Sequence, residues 1–308
     1  VDTDTSVSLY VNNAIKLLVD ANSRISLSNN DSGGTGGDDS LSSNTVFGYL
    51  AGASIASGDI RNSFFGHRAG GSSTGHLNVM VGAMAGDSVA GGTSNTILGG
   101  RAFNTADGTE SNNIVIGADA GASLNNDSTA GNIIIGNDAG TGGTGAMIDC
   151  VSIGLNAMNS TAGNAQTGTI AIGKDALTAL TSGANNLAIG YQALDACDTG
   201  ASNIAVGSGT LGALTDGVAN VGMGLAALGT NVSGNYNTAF GHQALQTFNA
   251  DVDGNNTAVG INAGQALATG HSNTIVGAFA LDVATDADNN VVIGAHAMGQ
   301  VTSEVVDS

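Results

Sequence analysis

Short apolar segments recur along most of this chain, separated by turns rich in Gly, Asn, Ser and Thr. Each segment ends in a large apolar residue followed by Gly, as in residues 187–190 and 238–241. Five-residue strands that alternate with such turns at a fixed period indicate a parallel β-coil, in which every repeat forms one rung. The sequence therefore predicts an all-β fold, a parallel β-solenoid or β-roll of about fifteen rungs.

The Gly that ends each apolar segment is termed the anchor glycine below. Fifteen anchors occur at intervals of 16 to 19 residues. Glycine is expected there because the chain must turn a corner, either with a positive φ or where a Cβ would clash. The anchors are Gly48, Gly66, Gly82, Gly99, Gly117, Gly136, Gly154, Gly173, Gly190, Gly207, Gly224, Gly241, Gly260, Gly277 and Gly294.

Two further columns of residues keep the same phase. Asn stands four residues before every anchor except where Cys150 or Thr169 replaces it, and Ala stands three residues after every anchor except at Thr210. Stacked amides would lie about 4.8 Å apart and could hydrogen-bond along the axis, so we expect an Asn ladder. We expect the Ala to pack where nothing larger fits. Representative members are Asn44, Asn62, Asn186, Asn237, Asn273, Ala193 and Ala244.

The position two residues before each anchor, termed the middle position, should be polar if the strand is half-buried, yet it is almost always apolar or small. If its neighbours along the strand face the interior of the rung, the middle position faces a second buried surface, most simply a partner chain. The sequence thus predicts a parallel homotrimer, intertwined or side by side. A monomeric solenoid with a loop over the strand is the alternative. The closest approach is expected along Ala171, Ala188, Ala205, Gly222, Ala239 and Ala258.

The repeats divide the chain into three parts. Residues 1–43 contain alternating apolar positions and are predicted to form a short β-meander, followed by a Gly/Ser/Asp-rich linker from Asn29 to Ser43. Residues 44–301 form the predicted solenoid, and 302–308 form an acidic tail.

Charge narrows the range of partners. The formal net charge is -19, from 25 acidic against 6 basic residues, and no basic residue follows Lys174. Such a surface repels phosphate, so we expect no nucleic-acid partner. No apolar run approaches the roughly 18 residues of a membrane span, so we expect no membrane insertion.

Catalysis and cofactors are not expected. Asp251 and Asp253 have a spacing suggestive of calcium but short of a full loop motif, so a solvated turn is the preferred interpretation. A glycosidase needs paired carboxylates and aromatic sugar platforms, and the chain has four Tyr and no Trp. Cys150 and Cys197 should lie two rungs apart, roughly 10 Å, which exceeds disulfide reach. We expect both to be small buried thiols.

Several repeats resemble those of a known family. Residues 186–194 and 237–245 are similar to the Asn-Thr-Ala-Ile-Gly-Tyr-Gln-Ala-Leu repeats of bacteriophage tail-fibre proteins, particularly those of marine phages. Related units occur in the heads of trimeric autotransporter adhesins. The resemblance covers residues 44–298. Residues 8–13 and 17–22 also resemble the segment that precedes such repeats in phage fibres.

The resemblance implies a trimeric fibre on a virion tail or another extracellular surface. Its expected partners are further copies of the chain, other virion or fibre proteins, and a glycan or protein on the host surface. A bacterial adhesin or cell-surface filament subunit is the alternative. Two departures from these families are the missing endosialidase-type chaperone at the carboxyl end and the missing coiled-coil stalk or β-barrel anchor of an autotransporter.

Overall fold

The computed structural model describes residues 7–11, 14–19, 25–26, 44–55, 59–106, 108–160, 165–250 and 253–299. Within these residues the fold is all-β, with no helix. Near the amino terminus, β1 (Val7–Val11) pairs antiparallel with β2 (Ala14–Val19), which pairs antiparallel with β3 (Ile25–Ser26). The predicted linker from Asn29 to Ser43 and the predicted tail at 302–308 lie outside the described residues.

The main body is a parallel β-solenoid of about 14 turns, as predicted. Its sheet has fifteen strands, one per repeat, and their order in the sheet follows the order of the chain. The strands are β4 Thr45–Phe47, β5 Ser63–Phe65, β6 Val79–Val81, β7 Thr96–Leu98, β8 Ile114–Ile116, β9 Ile133–Ile135, β11 Val151–Ile153, β13 Ile170–Ile172, β14 Leu187–Ile189, β15 Ile204–Val206, β16 Val221–Met223, β17 Thr238–Phe240, β18 Thr257–Val259, β19 Thr274–Val276 and β20 Val291–Ile293. On another side of the coil, β10 (Met147–Ile148) pairs in parallel with β12 (Gln166–Thr167).

Each strand of the main sheet is three residues long, so the five-residue prediction is wrong. The chain bends at both ends of the strand. The Asn before the strand turns its side chain into the coil, and the anchor glycine after it has a φ near +139°, as at Gly190. A Cβ on Gly190 would lie 2.5 Å from the carbonyl oxygen of Gly207 in the next rung. Backbone conformation and close stacking therefore both require glycine.

The Asn side chains form the ladder that connects successive rungs. The backbone N–H of Asn203 donates to Oδ1 of Asn186 at 3.0 Å, and that of Asn220 donates to Oδ1 of Asn203 at 2.9 Å. Nδ2 of Asn203 donates to the carbonyl of Gly217, in the turn of the next rung, at 2.8 Å. The buried Asn203 amide thus satisfies two backbone groups on the side of the next rung, groups that would be costly to leave without partners.

The middle position faces the interior of the coil. Its residues are almost all fully buried, while the residues before and after it point outward. The predicted trimer-interface column is therefore wrong, because its side chains lie inside the core of their own chain. The residues that were predicted at the interface but are buried inside their own chain are Ala171, Ala188, Ala205, Gly222, Ala239 and Ala258.

The small size of some middle residues is explained by the residue that faces them across the core. The residue four positions after each anchor, termed the wall position, points inward as well. A large middle residue generally faces a wall glycine, whereas a small middle residue generally accompanies a wall leucine. A Cβ on Gly70 would lie 2.8 Å from the ring of Phe64, which leaves no room for a larger wall residue there. Examples of the two arrangements are Phe64 with Gly70, Met80 with Gly86 and Ile134 with Gly140, against Ala171 with Leu177, Ala188 with Leu194 and Ala205 with Leu211.

Candidate interaction surfaces

The outward side of the main sheet is an exposed apolar strip. It is formed by the first and third residues of the fifteen strands and is termed the strand face. Nine of the first residues are aliphatic, five are Thr and one is Ser, and all fifteen third residues are apolar. Ile189 and Ile204 are each 36% exposed, and Phe240 is 45% exposed. Side chains of this kind are usually buried, so a continuous strip of them marks a surface for contact.

No position of the strand face is charged. The chain as a whole has a formal net charge of -19, and the acidic residues in the described part of the coil lie on its other sides and in its turns. Contact at the strand face therefore requires no desolvation of ionised groups, which is the main cost of burying a polar surface. Its composition suits an uncharged, apolar partner.

Four of the fifteen residues at the corner just beyond the strand face, one residue after the anchor glycine, are Tyr or His. Tyr49 is 73% exposed and stacks on His67 of the next rung with ring centroids 5.8 Å apart. Nζ of Lys174 lies 5.8 Å from the centroid of the Tyr191 ring. Side chains in these two places thus contact their counterparts one rung away along the axis, and Tyr49 and Tyr191 are exposed to solvent.

The side of the coil that follows this corner has paired charges. Arg68 contacts Asp87 at 2.8 Å, and Arg101 forms two hydrogen bonds with Asp119 at 2.7 and 2.6 Å. The hydrogen bond to Asp119, and then its charge, raise the pKa of Arg101. The exposed pair of Arg101 and Asp119 contributes little to stability, whereas Asp87 in the other pair is buried. Both pairs show that the basic residues here are already paired with acidic residues of a neighbouring rung.

The two cysteines are free and fully buried, at separate levels of the coil. Burial raises the pKa of the Cys150 thiol, and it raises that of Cys197 to about 12. Burial likewise raises the pKa of Asp195. A buried thiol with a raised pKa is a poor nucleophile, so neither cysteine has the environment of a reactive group.

Only one of the two candidate calcium residues lies in the described part of the chain. Asp251 lies outside the described residues, and Oδ1 of Asp253 accepts a hydrogen bond from Nδ2 of Asn235 at 3.1 Å. In the part of the chain that the structure describes, no three His, Cys, Asp or Glu residues come together in a way that could hold a metal ion. The same residues contain no helix that could cross a membrane.

The predicted structural residues all occupy their predicted columns in the coil. The strand face differs from the prediction, in which these residues point into the interior of the rung. The signal that could have revealed it is side-chain size. In the middle of the chain the first and third strand residues stay large while the middle residues shrink to Ala and Gly, as a crowded interior would require.

These features define a repeat protein of the parallel β-solenoid class. No family model, no curated protein and no solved structure matches the chain.

Proposed function

We propose that this chain is a structural fibre protein, a phage tail fibre that projects from the virion and contacts the host surface. The observation that supports a fibre is the one-to-one correspondence between repeats and strands. Because every repeat adds one rung of about 4.8 Å, the fifteen strands extend over roughly 67 Å. A chain built in this way gains length instead of a larger core, which is the property that a fibre needs.

The proposed role is structural and without catalysis. The interior supports it, since the inward residues of each rung fill the core: the middle residue, the Ala after the anchor and the wall residue. The outward residues of the strands form a continuous strip along the sheet. A close-packed interior suits the shaft of a fibre.

The fibre in this proposal is a homotrimer of parallel chains. Support for assembly comes from the apolar strand face, which a chain working alone would leave in water. The turns between rungs are the proposed contact with a host glycan or protein, because turns tolerate changes that the stacked strands do not. Spacings of 16 to 19 residues between anchors place all variation in length in these turns.

Negative-stain images of the native source, labelled with gold-conjugated antibody against this chain, test the proposal. Gold on rods attached to virion tails is the expected result. Gold on rods attached to cells would instead support the second candidate, a bacterial adhesin or filament subunit of the kind suggested by the adhesin-head repeats. Labelled particles that are not rods would refute both.

Host contact is tested separately. Purified chain added before infection should compete with phage for the host surface and lower the rate of adsorption. A denatured sample of the same chain is the control. Adsorption that is unaffected by a saturating amount of folded chain would contradict a role in host attachment and leave the chain as a spacer.

A further inference from the structure

The main sheet has an open edge at each end of the coil. At every junction between neighbouring strands of this sheet, the same two backbone hydrogen bonds join one rung to the next. At the last junction, the N–H of Gly294 donates to the carbonyl of Val276 at 2.8 Å, and the N–H of Thr274 donates to the carbonyl of Asn290 at 2.8 Å. No described strand continues this pattern before β4 or after β20.

The coil has open space beyond β20, its carboxyl-terminal edge. Ile293 is 68% exposed, whereas Ile189 in the same column is 36% exposed. The nearest atom to a Cβ on Gly294 would be Cβ of Ala297 at 3.8 Å, whereas a Cβ on any other anchor would lie no more than 2.7 Å from the backbone of the next rung. A further rung therefore has room against β20 without displacing any described part of the coil.

The β20 edge presents hydrogen-bonding groups in the arrangement of an internal junction. The N–H of Val291, the carbonyl of Ile293 and Oδ1 of Asn290 have no hydrogen-bond partner among the described residues. In the rung before, Oδ1 of Asn273 accepts the N–H of Asn290 at 3.0 Å. Unpaired groups on an edge strand are a template for a further strand, which pairs with them by strand addition.

The amino-terminal edge, formed by β4, presents the complementary groups. The backbone N–H and carbonyl of Asn44 and the N–H of Gly48 have no hydrogen-bond partner among the described residues. Inside the coil, the corresponding groups of each rung bond to the rung before it, as Asn290 and Gly294 do. The described strands β1, β2 and β3 contact only one another, so they leave β4 uncovered.

The interiors at the two edges also fit each other. The last wall residue is Met298, and the wall residue of the first rung is Gly52. The same order occurs inside the coil where Leu245 is followed by Gly264, on which a Cβ would lie 3.0 Å from the Leu245 side chain. A large wall residue has room there because the next rung has glycine at the same position. Met298 followed by Gly52 repeats this arrangement across two copies of the chain.

Contact between the two edges buries apolar side chains without burying charge. Phe47 in β4 is 64% exposed, against 45% for Phe240 in the same column inside the sheet. Neither β4 nor β20 contains an ionisable residue. Each edge belongs to a rung of 16 to 19 residues, close to the roughly 20 residues per side of a standard interface.

We infer that copies of this chain join end to end, with β20 of one copy paired in parallel with β4 of the next. Val291 then lies beside Thr45, and the Asn ladder continues from Asn290 to Asn44 of the following copy. The contact goes beyond the proposed fibre, because it joins copies along the axis and not side by side. A head-to-tail contact leaves both outer edges free, so it repeats and gives a filament.

Engineered cysteines test the junction directly. Thr45→Cys and Val291→Cys each replace an outward residue of an edge strand, and the native cysteines are buried. Residues side by side in neighbouring strands are about 4.8 Å apart, within disulfide reach, whereas the two positions are roughly 67 Å apart in one chain. Under mild oxidation the double variant should therefore form covalent multimers of more than two chains on a denaturing gel.

The single variants are the matched controls. Each has one accessible cysteine and should form no multimer beyond two chains. A mixture of the two should give dimers linked between residues 45 and 291, identified by mass spectrometry. Links confined to identical residues, or no multimer from the double variant, would overturn the inference.

A second test measures rod length in negative-stain images of the purified chain. Each copy should add about 72 Å, from fifteen rungs of about 4.8 Å, and the length should rise with concentration. Val291→Pro removes an N–H that has no partner in the described coil, so its unfolding temperature should match the wild type while its rods remain one copy long. Val291→Thr keeps this N–H and copies Thr274, so its rods should be as long as those of the wild type.

The outcomes separate this inference from the proposed function. Trimers in sedimentation whose rods remain one copy long at every concentration would overturn the end-to-end contact and leave the proposed fibre intact. Long wild-type rods that Val291→Pro does not shorten would overturn the assigned junction. Long rods that Val291→Pro alone shortens support the inference, whether they are attached to virions or to cells.

Discussion

At the scale of single residues, three columns determine the shape of a rung. The anchor glycine turns the chain with a φ that other residues avoid, the Asn satisfies backbone groups of the next rung, and the Ala after the anchor is buried in the core. Where Cys150 replaces the Asn, its backbone N–H still donates to Oδ1 of Asn132 at 2.9 Å. The ladder therefore tolerates a replacement that keeps the backbone in place.

Replacing one anchor glycine should destabilise the coil. Gly190→Ala places a Cβ 2.5 Å from a backbone oxygen at a φ of +139°. Strained backbone alone costs on the order of 1–3 kcal/mol, so we expect the free energy of unfolding to fall by at least about 2 kcal/mol. Urea titration followed by circular dichroism measures it. Gly100→Ala is the control, since a Cβ there meets no atom within 4 Å, and equal stability of the two variants would refute the corner argument.

The buried Cys197 thiol predicts a loss of stability at alkaline pH. Its pKa is about 12 in the folded chain against an ordinary value of 9.0. Between these values the unfolded chain releases the proton and the folded chain keeps it, so the free energy of unfolding falls as pH rises. Cys197→Ala should show a shallower fall than the wild type over this window in urea titrations. Parallel curves would contradict the assignment.

At the scale of the strand and the wall opposite it, the core follows a rule of complementary size. A Cβ on Gly140 would lie 3.1 Å from Ile134, whereas in another rung Leu194 occupies the same wall position with a φ of 53°. The backbone of Gly140 also has a φ of 53°, so its conformation already accommodates leucine. The three atoms nearest to such a Cβ all belong to Ile134, so the size of this middle residue opposes a leucine at residue 140.

This rule predicts that two changes in one rung rescue each other. Gly140→Leu alone should overpack the core and lower the free energy of unfolding by about 1–3 kcal/mol. Ile134→Ala alone should leave a cavity and cost about 2–5 kcal/mol. The double variant copies the arrangement of Ala188 and Leu194 and should be more stable than the sum of the single changes by at least about 1 kcal/mol. A double-mutant cycle measures this coupling, and additive effects would refute the rule.

At the scale of the whole molecule, each rung contacts only its neighbours, so stability is distributed along the rod. The sheet order contains no crossover, and almost every turn joins one rung to the next. The rod should therefore tolerate removal of a complete rung far better than removal of part of one.

Deletion of residues 187–203 removes one repeat of the length that separates Gly190 from Gly207 and joins Asn186 to Ile204. We expect a folded rod about 4.8 Å shorter, with only a small change in unfolding temperature. Deletion of residues 187–195 is the control, because it removes an anchor and breaks the register, and it should prevent folding. Thermal unfolding followed by circular dichroism compares the two. A full-rung deletion as damaging as the partial one would refute the rung as the structural unit.

The sequence by itself determined the rungs, the corners and the Asn ladder. These features depend on local backbone conformation and on contacts with the next repeat, so they repeat with the period of the chain. The roles of Gly190 and Asn203 could be predicted because every residue in each of their columns has to satisfy the same structural requirement.

Only the tertiary structure decided which side of the strand faces inward. Because side chains alternate in direction along a strand, Ala188 must point opposite to Leu187 and Ile189. This alternation does not determine which of the two directions is the core. The wall position settles it, because Leu194 lies across the interior and fills the space that Ala188 leaves. The large outward residues, excluded from that crowded interior, were left to form the strand face.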